Sequence, residues 1–206
     1  MSQLLQCLLA KPCSPRFRRV PKFGRYTIRK FTKDVSALKQ MAARDFEDLL
    51  QCALPCFEGI LPPSDDRIVQ DLLFILGTWH GFAKLRMHTD TSLKVFGGVT
   101  KEAGRLLRHF TNTVCKHFDT DETPTESAAR VRREERDIAK AKKAGKMPSG
   151  KKKKRSKMKK KFNLSTYKLH AMGDYPWTIW QFGTTDSYST QRVSEHSILI
   201  TPLTIP

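Results

Sequence analysis

The chain has 206 residues and a formal net charge of +18, with 38 Lys/Arg against 20 Asp/Glu. That length suits one domain with appendages. The longest strongly apolar run, Leu72–Trp79, falls far short of the ~20 residues that cross a bilayer, so no membrane partner is expected.

The charge is segregated along the chain. Residues 1–33 carry +9, 34–129 carry −4, 130–161 carry +14 and 162–206 carry −1. Basicity is therefore expected in attached segments and not on a basic face of the folded part. The start, MSQLLQCLLAKPC, has no charged n-region, and Gln6 interrupts its apolar part; it does not read as a signal peptide. Five cysteines (Cys7, Cys13, Cys52, Cys56, Cys115) form no tight framework. The expectation is an intracellular, soluble chain with reduced thiols.

In chain order, residues 1–33 read as a basic, largely unstructured arm, because Pro, Gly, Arg and aromatics mix there without a helical period. A short strand is expected at Arg25 to Phe31. A helical bundle core is predicted over 34–118. Its first helix spans 34–54, where Val35, Leu38, Ala42, Phe46, Leu49 and Ala53 recur at steps of three and four. Thr32 or Asp34 can cap its start, and Pro55 and Gly59 lie at or beyond its end. The second helix runs from an N-cap at Ser64 to about Met87, with Asp65 and Asp66 at the positive end of its dipole. It is apolar over a wide arc (Ile68, Leu72, Ile75, Trp79, Phe82, and beside them Val69, Leu73, Leu76) and is taken as the central helix. A third helix starts near Thr89–Asp90 and ends between Cys115 and Phe118, with either a kink or a delayed start of its regular part expected at Gly97–Gly98.

Residues 119–145 are expected to form a charged, solvated helix from Pro124 to about Ala144, since Ala128, Val131 and Ile138 are too few to bury a face. Residues 146–161 read as a disordered polybasic linker, because like charges repel and no core can form there. Residues 162–190 hold seven of the chain's 19 aromatics. Helices are predicted from Leu164 to Met172 and from an N-cap at Asp174 to Gly183, with Ile179 and Phe182 facing inward. This segment is too short to fold alone, so it is expected to pack back on the 64–87 helix. Residues 191–206 read as an irregular tail. The predicted fold class is mainly α: a small helical bundle with a long basic linker and flexible termini.

The strongest charge signal is Lys151, Lys152, Lys153, Lys154, Arg155, Lys157, Lys159, Lys160 and Lys161. Such a run suits a nuclear import signal or a phosphate-binding tail. Aromatics border it without interleaving, so base stacking is not indicated there. Its partners would be nucleic acid, held electrostatically, and an import receptor; the expected location is the nucleus. Gly145 to Lys152 (GKMPSGKK) has the outline of a phosphate-binding loop, but Lys152 stands where Ser or Thr should hold magnesium; it is a chance match. Cys52 and Cys56 lack a histidine pair at ligand spacing and read as core thiols, not zinc ligands. His80 reads as a boundary histidine on the central helix, and His88 as a capping group at its end. Asp174, Asp186 and Glu195 are the only acids in the last 45 residues. They suit a cap and a turn better than a two-metal site. No cofactor or metal site is read.

Several longer motifs carry a family resemblance. They are Phe162–Asn163–Leu164, Tyr167–Lys168–Leu169–His170, Gly173–Asp174–Tyr175 and the stretch from Phe182 to Thr190. Upstream, Lys22–Phe23–Gly24–Arg25–Tyr26, Ala43 through Ala53 and Trp79 through Asp90 belong to the same pattern. Over residues 22–190 the chain resembles the C-terminal region of Plavaka-type DNA transposases, related to the CACTA superfamily, and the transposon-derived proteins of mushroom-forming fungi. The resemblance implies descent from a cut-and-paste transposase whose RNase H-like domain holds divalent metal on an acidic triad. The first two acids of that triad lie upstream of anything matched here. The third would follow Thr190 closely, where this chain reads Gln191-Arg192-Val193-Ser194-Glu195-His196-Ser197. The Glu is shifted and the expected Arg is missing, and Pro176 and Trp177 replace a usual Val-Arg. No catalytic residue is carried over. The resemblance thus implies a nuclear, non-enzymatic remnant that touches nucleic acid through arm and linker. The other reading is a protein-interaction module in which the lysine run only serves import.

Overall fold

A computed structural model describes residues 14–24, 27–28, 30–31, 35, 43–122, 124–143, 158–159 and 161–185. The protein is mainly α-helical. The described helices are α1 (Ser14–Arg19), α2 (Ala43–Phe57), α3 (Pro63–Ala83), α4 (Asp90–Asn112), α5 (Val114–His117), α6 (Pro124–Lys143), α7 (Tyr167–Ala171) and α8 (Tyr175–Phe182), with a 3₁₀ turn at Met172–Asp174 between the last two.

The centre is an α2–α3–α4 stack. α3 packs against α2 on one side and along α4 on the other. Leu49, Ala53 and Phe57 of α2, Val69, Leu72 and Leu76 of α3, and Ala103, Leu107 and Phe110 of α4 meet in one buried core. The apolar phase of the sequence gives this stack directly, because three- and four-residue steps put those side chains on single faces. A smaller cluster sits at the other end of α3, where Ala83, Phe96 and Ile179 are buried among Trp79, Phe82 and Tyr175.

Several boundaries differ from the expected ones, each for a local reason. α2 continues through Pro55 to Phe57. Position 55 and the residue whose carbonyl it cannot bond, Gln51, both lie on the exposed face, so water can take over that bond. The stop comes instead at Gly59, whose φ of +66° suits glycine. The predicted start at 34 lies largely outside the described residues; Val35, which is described, is buried in the core.

α3 begins with Pro63 in its first turn and Pro62 as N-cap, not with Ser64 as cap. The Pro62 carbonyl accepts from Asp65 N (2.9 Å) and Asp66 N (2.8 Å), and Pro63 is pre-set in φ for a first helical residue. The helix ends at Ala83, four residues before the expected Met87. Thr89 caps α4 in a capping box with Ser92. α4 then runs through Gly97–Gly98 without interruption.

Two further corrections concern the basic arm and the aromatic segment. Within the arm, Ser14–Arg19 is helical and Phe17 is fully buried, edge-on to Phe31 and Phe57 at 5.3 and 6.2 Å. Of the expected strand at Arg25 to Phe31, Arg25, Tyr26 and Arg29 lie outside the described residues; among the described ones Ile28 forms an isolated bridge with Phe23, beside Gly24 at φ +61°. In the aromatic segment, residues 161–166 are not helical. The Asn163 side chain accepts from Ser165 N at 2.8 Å, which competes with a helical bond. Asp174 makes no capping bond with its side chain, and Phe182 is exposed where an inward position was expected. The segment meets α3 at two points: Tyr175 lies edge-on to Trp79 at 4.9 Å, and Thr185 Oγ1 donates to the Ala83 carbonyl at 2.9 Å.

Candidate nucleic-acid interface

The basic segments are anchored to the bundle at specific points. In the arm, the Arg16 guanidinium donates to the carbonyls of Cys56 (3.5 Å) and Glu58, at the end of α2. A cation there complements the negative end of the helix dipole. Asp66 completes the same corner by accepting from Gly59 N at 3.1 Å. Arg16 is thus a structural group, while Arg18 and Arg19 of the same helix are exposed.

The second anchor joins the acidic strip after α5 to the end of the lysine run. Glu122 N donates to the Met158 carbonyl at 2.9 Å, and Asp121 and Lys159 form an antiparallel bridge. Lys159 Nζ sits 2.7 Å from Asp119 Oδ2. The hydrogen bond to Asp119, reinforced by its charge, holds the Lys159 ammonium above its usual range. Arg130 completes the strip by gripping Glu122 through Nε and Nη2 (3.0 Å each), and that bond keeps the Glu122 carboxyl below the usual carboxylate range. The chain therefore leaves the bundle at Glu122, traverses α6 and returns at Met158. Between those points residues 123–157 hold 14 Lys/Arg and 4 Asp/Glu, a net charge of +10.

Of the nine cations singled out in the sequence, Lys159 is paired in this way and Lys161 is exposed. Lys151, Lys152, Lys153, Lys154, Arg155, Lys157 and Lys160 lie outside the described residues, as do Asp186 and Glu195. The sequence reading missed Arg16 as a helix cap. It also treated α6 as a featureless solvated helix, although the spacing of its cations was available as a signal.

The remaining candidates are structural. Cys52 and Cys56 are buried one turn apart on α2, and burial pushes the Cys52 thiol up to about 11. Among the described residues no group of three His, Cys, Asp or Glu could hold a metal ion. His88 joins two helices, with Nε2 3.0 Å from the Phe82 carbonyl and Nδ1 3.1 Å from Ser92 Oγ, as its capping reading anticipated. A largely apolar cleft of about 730 Å³ lies under the returning segment, lined by Leu50, Leu76, Phe162, Leu169 and Tyr175 with His80 and Lys168 among its polar groups. On α8, Trp177, Trp180 and Phe182 are 60%, 67% and 64% exposed. No described helix is long and apolar enough to cross a membrane. Compared with protein-family models, curated proteins and solved structures, the chain matches none.

Proposed function

We propose that the chain is a non-catalytic, nuclear remnant of a DNA transposase that contacts nucleic acid through its basic segments without reading sequence. The observation that carries this reading is the concentration of +14 in residues 130–161 beside a folded part of the opposite sign. Phosphate contact by such a segment is electrostatic, so affinity falls steeply with salt. The resemblance over residues 22–190 supplies the transposase origin. Arg16 and Lys159 have partners within the fold, so the contact falls to Lys151, Lys152, Lys153, Lys154, Arg155, Lys157, Lys160 and Lys161 with the arm's exposed arginines.

Titration of the full chain against a short DNA duplex over a range of salt tests this. Replacing Lys151–Lys154, Arg155 and Lys157 by Gln should remove much of the salt dependence. Substitution is preferable to deletion. α6 carries the chain about 28 Å from its start, and the residues after it must span that distance back to Met158. Binding that is insensitive to salt would overturn the reading. Absence of catalysis is tested by plasmid nicking with magnesium or manganese, where no cleavage above background is expected.

A second reading, a co-opted protein-interaction module, is favoured by the exposed Trp177, Trp180 and Phe182 on α8. Partners retained through nuclease treatment and high salt, and lost on Trp177→Ala with Trp180→Ala, would select it over the first.

A further inference from the structure

We propose that α6 is itself a phosphate-contacting element that lies along the backbone of duplex nucleic acid, separately from the lysine run. The inference rests on the nucleic-acid reading above and adds a site to it.

At 3.6 residues per turn, Arg132, Arg133, Arg136, Lys140 and Lys143 fall within an arc of about 100° and extend about 16 Å along the axis. All five are exposed. Among the described residues none of them takes part in an ion pair; Arg132 and Arg136 bond only to carbonyls of the preceding turn, at 3.3 Å. The helix's acids do not interrupt the stripe. Glu126, Glu134, Glu135 and Asp137 all fall outside that arc. Arg130, about 110° around the helix from the centre of the stripe, is the residue that grips Glu122 and Glu134. The ion pairs that moor α6 thus use one side and leave the cationic side free.

The chemistry of the opposite side selects among anionic partners. A helix bound flat on a membrane needs a broad apolar face, and outside the stripe α6 offers only Val131, Ile138 and small residues among acids and the two further cations Arg130 and Lys142. A helix seated deep in the major groove has phosphates on both flanks; Glu126 and Asp137, about 70° and 90° from the centre of the stripe, would face one of them, and Glu135, about 110° the other way, the second. A one-sided stripe without aromatics fits a single strand of backbone, contacted from outside the groove. It carries no base readout and no stacking platform for unpaired bases.

The test uses the full chain and fluorescence anisotropy with a short DNA duplex of arbitrary sequence, and with one of its strands alone, over a salt series. Replacing all five stripe residues by Gln keeps helix propensity close to that of Arg and Lys, and circular dichroism checks that helicity is retained. The slope of log affinity against log salt should flatten by at least about 2, the share of two neutralised phosphates at about 0.9 each. The charge-keeping set Arg132→Lys, Arg133→Lys and Arg136→Lys should retain the wild-type slope; should the Gln set lose helicity, the smaller set Arg136→Gln with Lys140→Gln decides the matter, with a slope flattened by about 1, the share of one neutralised phosphate at about 0.9. A run variant (Lys151–Lys154, Arg155, Lys157→Gln) with intact α6 should retain residual salt-dependent binding to duplex. An unchanged slope in the stripe variant, with loss in the run variant, overturns the α6 site and leaves the nucleic-acid reading standing. Slopes unchanged in both overturn the two together. Equal loss on the single strand overturns the assignment to duplex backbone.

Discussion

His117 Nδ1 lies 2.9 Å from Asp65 Oδ2, so the short helix after α4 is tied back to the first turn of α3. Asp65 is only 3% exposed, whereas the His117 side chain faces water on most of its surface. The two ends of the pair are therefore unequal. Removing His117 strips a partner from a buried carboxylate, which is costly. Removing Asp65 leaves an imidazole that water can serve. We expect His117→Ala to lower stability by about 1 kcal/mol, less than the ~1.5–3 usual for a bond to a charged group because the imidazole is solvated. A double-mutant cycle with Asp65→Ala, read from urea midpoints, should return a coupling of about 0.5–1 kcal/mol. A coupling of zero would mean that the pair does not form in solution.

Phe17 turns the basic arm from a tail into part of the core. Its ring is fully buried, edge-on to Phe31 and Phe57. Truncation to Ala should cost about 3–5 kcal/mol, a large share of the ~5–15 kcal/mol that holds a typical domain together. Chemical denaturation of Phe17→Ala should show a lowered midpoint with cooperativity retained. An unchanged midpoint would return the arm to the status of an appendage.

His80 predicts a pH dependence of stability. Burial holds its imidazole below the ordinary range, against the pull of Glu47 at 3.7 Å. Between that lowered value and the unfolded value of about 6.5, the unfolded chain binds more protons than the folded one, so stability rises with pH across this window. Stability should be full above the unfolded value and decline as pH falls below it toward the lowered folded value. His80→Gln cannot titrate and should show a smaller decline over the same interval. Identical declines in the two proteins would show that His80 does not contribute.

Cys52 should be chemically silent. It is buried, and its thiol is pushed up to about 11, so almost no thiolate exists near neutral pH. Native-state alkylation followed by peptide mapping should leave Cys52 unmodified until denaturant is added. Rapid labelling of Cys52 in the native state would contradict the packing of α2 against α3.

The α2–α3–α4 stack was legible in the sequence because its apolar residues repeat at helical spacing and its caps are local: Thr89 and Gly59 act within a few residues of themselves. What was not legible depends on distant partners. Phe17 lies in a stretch without period, and only its contacts with Phe31 and Phe57 give it a place in the core. The prolines misled in the same way. Pro55 sits within a helix because that face is solvated, and Pro63 starts one because Pro62 offers its carbonyl. The lysine run was evident as charge, but its tether at Lys159 needed Asp119, 40 residues away.

The aromatic segment 162–190 was expected to pack back on the bundle, and its described part, up to residue 185, divides its rings. Tyr175 and Ile179 face the smaller cluster, with Ile179 packed against Ala83 and Phe96. Trp177 and Phe182 meet each other at 6.3 Å, edge to face, on the outside, and Trp180 is also exposed. Exposed rings have little burial to lose, so Trp180→Ala should change stability by no more than about 0.5 kcal/mol. Ile179→Ala, one residue away, should cost about 2–5 kcal/mol because it empties a packed site. The pair of measurements separates a helix held by its inner face from one held by all its aromatics. Comparable losses for the two variants would mean that the outer face of α8 is covered in solution, and the order Ile179 far above Trp180 would mean that it is open.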